Sequence, residues 1–262
     1  MAKTHKPKLG QHFLADGRVR QRILDALRLT REHTVLEIGA GRGAMTGLLA
    51  SRAGRVVAVE LDPQLAAGLR QKFAADPRVE VVESDILKMP LDYPGAKVFG
   101  NLPYYITSPI LMRLFEHAGR FEEMVVMVQK EVAERLVAAP GSRDYGLLSV
   151  ATQFHTRPEL LFTIPPGAFR PQPQVDSALV RLTPRRPEAP LGPADKERFF
   201  RLLRASFAQK RKTLLNNLKG LYPAGRLQAA MEQAGVPARA RAEELSLEQF
   251  SALDSALSAS LR

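Results

Sequence analysis

Asn101-Leu102-Pro103-Tyr104 sets a side-chain amide, a backbone carbonyl, a rigid ring and an aromatic face side by side. That set suits one demanding reaction, alkylation of an exocyclic amine on a purine. The lone pair of such an amine is delocalised into the ring, so the nitrogen is a weak nucleophile. Two oxygen acceptors aimed at its protons pull it toward a tetrahedral state. Asn101 supplies one through its side chain and Leu102 the other through its carbonyl. Pro103 fixes the turn that presents them. Tyr104 offers a face on which a base taken out of its helix can stack. Positive charge develops on the nitrogen and the proton leaves later, so orientation and electrostatics carry the rate without a strong base. The bland alternative is an aromatic turn at a strand end.

A second group of residues reads as a nucleotide site. Glu37-Ile38-Gly39-Ala40-Gly41-Arg42-Gly43-Ala44 follows a strand-like run and satisfies G-x-G-x-x-A. Gly39 and Gly41 let a ligand approach the backbone, and a helix start favours negative charge. Glu60-Leu61-Asp62 stands about 20 residues further on, where an acid accepts ribose hydroxyls. Asp85 can accept from an adenine amine, with Ile86 beside the ring. Singly, each acid reads as a solvated strand end. At the carboxyl ends of successive strands they form a pocket. NAD and S-adenosylmethionine both carry adenosine. Glu37 suits the cationic end of S-adenosylmethionine better than a pyrophosphate, and nothing downstream resembles a hydride site.

These residues need a parallel sheet to gather them, and the sequence supplies one. Apolar runs at Thr34–Ile38, Val56–Leu61, Val79–Val82, Lys97–Phe99 and Met124–Val128 predict strands. Helical text at Ala44–Ala53 and Pro63–Ala74 falls between them. The fold class expected is α/β, a doubly wound, mostly parallel sheet of Rossmann type with a small C-terminal helical domain. Leu160–Ile164 and Ala178–Leu182 are expected to close one edge as a hairpin. Ahead of the sheet, Val19, Ile23, Leu24 and Leu27 predict a helix face. Prolines at 184, 187 and 190 mark a linker. The division expected is a cofactor-binding catalytic domain over 1–186, with a basic N-terminal arm, and a helical RNA-docking domain over 187–262. Ser246-Leu247-Glu248-Gln249 reads as a capping box for the last helix.

The chain has 262 residues, is 45% hydrophobic and carries a formal net charge of +11. Polyanions are the expected partners, because Lys and Arg that neutralise phosphates release counterions. Six basic residues face one acid over the first 22 positions, and eight face Glu197 alone between 196 and 219. A solvated helix face is the plainer account of the second cluster. There are no cysteines, which excludes disulfides, thiolate metal sites and cysteine nucleophiles. The five histidines show no ligand spacing, so no metal is expected. No apolar run approaches a membrane span and no leader is apparent. A soluble, cytoplasmic monomer is expected.

The assembled motifs resemble a known family. Gly39–Gly43 with Asn101–Tyr104 is similar to the class I S-adenosylmethionine-dependent adenine methyltransferases. Leu9–Leu14, Val128–Ala133, Tyr145–Val150, Phe169–Ser177 and Lys210–Leu214 stand in the order of the small-subunit ribosomal RNA adenine dimethyltransferases, the KsgA family. The resemblance covers the chain to about residue 220. It implies transfer of methyl groups to two adjacent adenines near the 3′ end of 16S rRNA, within an assembling small ribosomal subunit. It implies that Gln11–Leu14 folds over the cofactor, with Gln11, His12 and Leu14 as contacts. By the same resemblance Gly39 and Gly41 line the methionine end, Glu60 and Leu61 the ribose, and Asp85 and Ile86 the adenine. Asn101 touches both donor and target, Tyr104 stacks on the target adenine, and Phe169 covers its other face. Ala40 and His12 stand where the family often has Pro and Asn, so a backbone contact is expected from His12 ahead of a side-chain one. Competing readings are a large-subunit (23S) rRNA methyltransferase of the antibiotic-resistance type, a non-catalytic RNA-binding assembly factor and an NAD-dependent dehydrogenase. The Phe169–Ser177 and Gln129–Ala133 strings favour the small-subunit enzyme over the first of these.

Overall fold

The structure is a computed structural model that describes residues 12–186 and 192–259. Gln11, Lys3, Lys6 and Lys8 of the basic arm, and the linker positions 187–191, lie outside the described residues. Two compact units divide the chain.

The first unit comprises 1–133 and 155–185 and holds the nine strands found among the described residues. A two-residue β1 (Phe13–Leu14) precedes β2 (Thr34–Ile38), β3 (Arg55–Glu60), β4 (Val79–Glu83), β5 (Lys97–Asn101) and β6 (Glu123–Gln129). Then come β7 (Thr156–Ile164), a two-residue β8 (Phe169–Arg170) and β9 (Ser177–Pro184). The seven-stranded sheet runs β4-β3-β2-β5-β6-β9-β7. Strands β2 to β6 pair in parallel. The expected hairpin is present: β9 lies antiparallel to both β6 and β7. The order reverses between β2 and β5, and a doubly wound sheet opens its ligand crevice at such a point. The fully buried strand residues Val35, Leu36, Val56, Val57, Val98 and Phe99 explain why these segments read as continuous apolar text.

The helices begin where local chemistry directs. Asp16 caps the helix Gly17–Ala26, its carboxylate accepting from the backbone N–H of Arg18 and Val19 at 2.8 and 3.1 Å. Asp62 does the same for Pro63–Lys72, with Pro63 in the first turn. Ile23, Leu24 and Leu27 pack beneath the sheet against Val35, Phe99 and Val125. At the opposite end of the strands from the glycine loop, buried Lys97 donates to the carbonyls of Leu27 and Arg28, and Arg181 to that of Ala26. These two cations satisfy the free carbonyls at the helix C-terminus and complement its dipole.

The second unit comprises 134–154 and 186–262. The division therefore differs from the one expected at 186/187, because Glu134–Phe154 goes with the C-terminal helices. Ala138, Tyr145 and Val150 share a core with Phe199, Leu203, Leu214, Leu227, Phe250 and Leu253. The Tyr145 hydroxyl donates to the Leu245 carbonyl at 2.8 Å, and the Gly141 N–H to that of Glu243 at 2.7 Å. These bonds tie down the Ala139–Tyr145 loop. The capping box forms as expected, Ser246 N–H to the Gln249 side chain and Gln249 N–H back to the Ser246 hydroxyl. Arg198 is a structural member of the basic stretch. It forks onto buried Asp254 at 3.1 and 2.8 Å, while Lys196, Arg201, Arg204, Lys210, Arg211, Lys212 and Lys219 are exposed.

Candidate active site

The carboxyl ends of β2, β3, β4 and β5 open onto one pocket. His12, Leu14, Gly39, Gly41, Glu60, Leu61, Asp85, Ile86, Asn101, Leu102, Pro103 and Tyr104 all line it. Parallel pairing aligns these strand ends, Ile38 with Val59, Glu60 with Glu83, and Ile38 with Gly100. Residues far apart in sequence therefore face one space.

The glycine loop shows which adenosine ligand the pocket suits. The N–H groups of Gly39 and Ala40 donate to the Val59 carbonyl, and that of Gly43 to Ala40. The Gly41 N–H donates to Glu60 Oε2 at 2.8 Å, while Glu60 Oε1 accepts from Asp62 N–H at 3.0 Å. A pyrophosphate needs such amides free and no carboxylate beside them, so the loop does not fit one. Gly41 has φ of +58°, and a Cβ there would stand 3.0 Å from the Phe13 ring. Only glycine admits this turn and this roof at once. The Arg42 guanidinium lies over the other part of that roof, 4.8 Å from the Phe13 ring centre.

Glu37 is 2% exposed and takes a 2.6 Å hydrogen bond from the Thr46 hydroxyl. Burial pushes its carboxyl up to about 8, the Thr46 bond draws it back, and the Glu60 charge adds to the rise. Among the described residues no cation forms an ion pair with this carboxyl, and the Lys72 charge lowers it least of all the causes. A buried acid in that condition fits an ammonium ligand. Asp85 turns one oxygen to the Leu87 N–H at 3.0 Å and lines the pocket beside Ile86. Among the described residues no three His, Asp or Glu side chains gather as metal ligands would.

Strand β5 continues two residues past the expected end and delivers Asn101 as its last member. The Asn101 Nδ2 donates to the His12 carbonyl at 3.1 Å. That bond fixes the amide's orientation and leaves Oδ1 as the free acceptor arm. Leu102 is buried, and its N–H donates to the Met127 carbonyl. Among the described residues nothing donates to the Leu102 carbonyl. The Pro103 carbonyl is occupied, accepting from Ile106 N–H and the Thr107 hydroxyl. The turn therefore leaves one backbone acceptor beside Asn101. Tyr104 is held from both sides: its hydroxyl shares a 2.7 Å hydrogen bond with Ser177, and its ring tilts against His12 with centroids 5.6 Å apart. His12 Nδ1 donates to the Pro171 carbonyl at 2.8 Å.

Phe169 departs from expectation. It is fully buried, lies opposite Leu14 in the β1–β8 pair and joins the core under the helix Gly17–Ala26. It offers no face to a ligand and instead anchors the segment that carries His12. Gln11 lies outside the described residues. Asp62, next to the ribose acid, is spent on capping a helix. Sequence reasoning missed the supports Thr46, Phe13, Arg42 and Ser177, which carry no signature of their own. It passed over Tyr105, which stands beside Tyr104 in plain view.

With this geometry in place, kinship can be weighed. The family described as ribosomal RNA adenine dimethylase matches residues 2–258. The chain belongs to the ribosomal RNA adenine dimethylase family. The chain is 52% identical to ribosomal RNA small subunit methyltransferase A of Acidobacterium capsulatum, over 95% of this chain and 90% of that protein. It is 45% identical to the protein of that name from Koribacter versatilis, over 95% and 93%. Among solved structures it is similar to the 23S rRNA methyltransferase ErmE, with 33% identity and a TM-score of 0.73 over 94% of this chain and 99% of that one. A dimethyladenosine transferase from Plasmodium falciparum superposes with a TM-score of 0.78 at 25% identity, over 92% and 96%.

Proposed function

We propose that this dimethylase transfers methyl groups from S-adenosylmethionine to the exocyclic amines of two adjacent adenines near the 3′ end of 16S rRNA, in an assembling small subunit. The observation that carries the reading is the Asn101 amide, pinned by His12 so that Oδ1 stands beside a Leu102 carbonyl that accepts from nothing among the described residues. The bound cofactor supplies a sulfonium methyl group. Everything else falls to the chain. Glu37 takes the ammonium, Glu60 and Leu61 the ribose, and Asp85 and Ile86 the adenine, while Gly39, Gly41, His12 and Leu14 close on the methionine end. Asn101 and Leu102 draw the target amine's protons and concentrate its lone pair, and Tyr104 holds the base flat. The developing positive charge meets fixed oxygens in place of water.

Two relatives at 52% and 45% identity named for the small subunit support that substrate over the large one, named for a structure at 33%. Seven exposed cations between Lys196 and Lys219 suit the second unit to phosphate docking. We take the chain to act as a monomer in the cytoplasm; among the described residues no helix is long and apolar enough to cross a membrane. The test is tritium transfer from labelled S-adenosylmethionine to immature small subunits, naked 16S rRNA and 23S rRNA. Label should enter adjacent 16S adenines. Label confined to 23S, or absent despite RNA binding, refutes the assignment.

A further inference from the structure

Two large apolar side chains stand exposed on the pocket: Leu61 at 48% and Tyr105 at 56%. Exposed aromatic surface beside a ligand site calls for an occupant. Leu61 follows the ribose acid Glu60. Tyr105 follows Tyr104 in the short turn Tyr104–Ile106, directly after the rigid Pro103. The two tyrosines are held very differently. Tyr104 is fixed through Ser177 and His12. The Tyr105 hydroxyl has no hydrogen-bond partner among the described residues.

We infer that Tyr105 is a cofactor-binding residue, its ring closing over the adenosine held by Glu60 and Asp85 opposite the Leu61 wall. This rests on the S-adenosylmethionine reading of the pocket. Tyr105 lines the same pocket as Glu60, Leu61, Asp85 and Ile86, the set that holds the adenosine on this reading. Its acidity is lowered first by partial burial and then by those two carboxylates. The burial of Phe169 leaves the second face of the target base without its expected plate, and Tyr105 is the obvious substitute. Tyr104 is the ring already fixed for the target base, which leaves the free Tyr105 ring for the adenosine. Stacking of an aromatic ring on a base face is strong and tolerant of base identity, and the edge of the ring needs no hydroxyl for it.

The experiment is calorimetric titration of S-adenosylmethionine, without RNA, into the full chain and its Tyr105→Ala, Tyr105→Phe and Tyr104→Ala variants. Tyr105→Ala should raise Kd about tenfold. Tyr105→Phe should stay within about twofold of the parent. Tyr104→Ala should leave Kd largely unchanged while raising KM for RNA. Thermal unfolding checks that the exposed site tolerates the changes. If the parent binds and Tyr105→Ala binds equally well, with KM for RNA raised instead, Tyr105 is a plate for the target base and the inference fails alone. If the parent does not bind S-adenosylmethionine at all, the reading beneath it fails as well.

Discussion

Glu37 offers the sharpest quantitative test. The folded protein keeps a proton on this carboxyl until about pH 8, whereas the unfolded chain releases it near 4.5. Between those values the native state binds more protons than the unfolded one, so stability falls as pH rises through the window and levels off above it. At pH 7 the gap spans about 2.5 pH units, which amounts to about 3 kcal/mol of lost stability. Glu37→Gln keeps the oxygen that accepts from Thr46 and removes the titration. The variant should exceed the parent by about 1 kcal/mol at pH 5 and by about 3 kcal/mol at pH 7, the gap growing by about 1.4 kcal/mol per unit up to pH 8. Urea unfolding followed by circular dichroism at pH 5, 6, 7 and 8 reads this directly. An ammonium seated beside Glu37 draws off its proton, so the same substitution should weaken S-adenosylmethionine about tenfold or more at pH 8, where the parent carboxyl is most readily ionised. A stability gap of the same size at every pH would refute the reasoning, for it would mean that Glu37 is ionised in the native pocket.

Other residues give shorter tests. Asn101→Ala should keep RNA binding and lose about 100-fold or more in methyl transfer, as when one preorganised polar group is removed from a transition state; comparable turnover would exclude the acceptor pair. A Cβ at residue 54 would stand 2.1 Å from the Arg31 carbonyl oxygen, so Gly54→Ala should cost about 3 kcal/mol in urea unfolding, and an unchanged midpoint would contradict the packing. Arg198→Ala strands the buried Asp254 carboxylate and should cost about 3 kcal/mol. Arg201→Ala, on an exposed cation of the same helix, should leave stability nearly intact and reduce the salt dependence of RNA binding.

What the sequence revealed follows from what a parallel sheet does. Glu60, Asp85 and Asn101 were legible as one site because strand ends in such a sheet converge by construction, whatever the loops between them. The capping box at Ser246 was legible because its chemistry is local and leaves a local signature. Phe169 was misplaced because its aromatic type is visible but its direction is set by a two-residue strand pairing 155 positions away with Leu14, and so short a pairing leaves no periodicity. Glu134–Phe154 was assigned to the wrong unit because helical spacing shows that a face is buried and not which core buries it. Arg198 looked like one more RNA-facing cation because its partner Asp254 lies 56 residues downstream.

The bond from Asn101 to the His12 carbonyl makes the aim of the proposed acceptor depend on a segment 89 positions upstream. An amide released from that bond can turn its nitrogen where the oxygen should be, meeting the incoming amine donor against donor. On the proposed mechanism such an amide is wrongly aimed, however well the donor is seated. One hydrogen bond between two distant stretches of chain thus sets the tool.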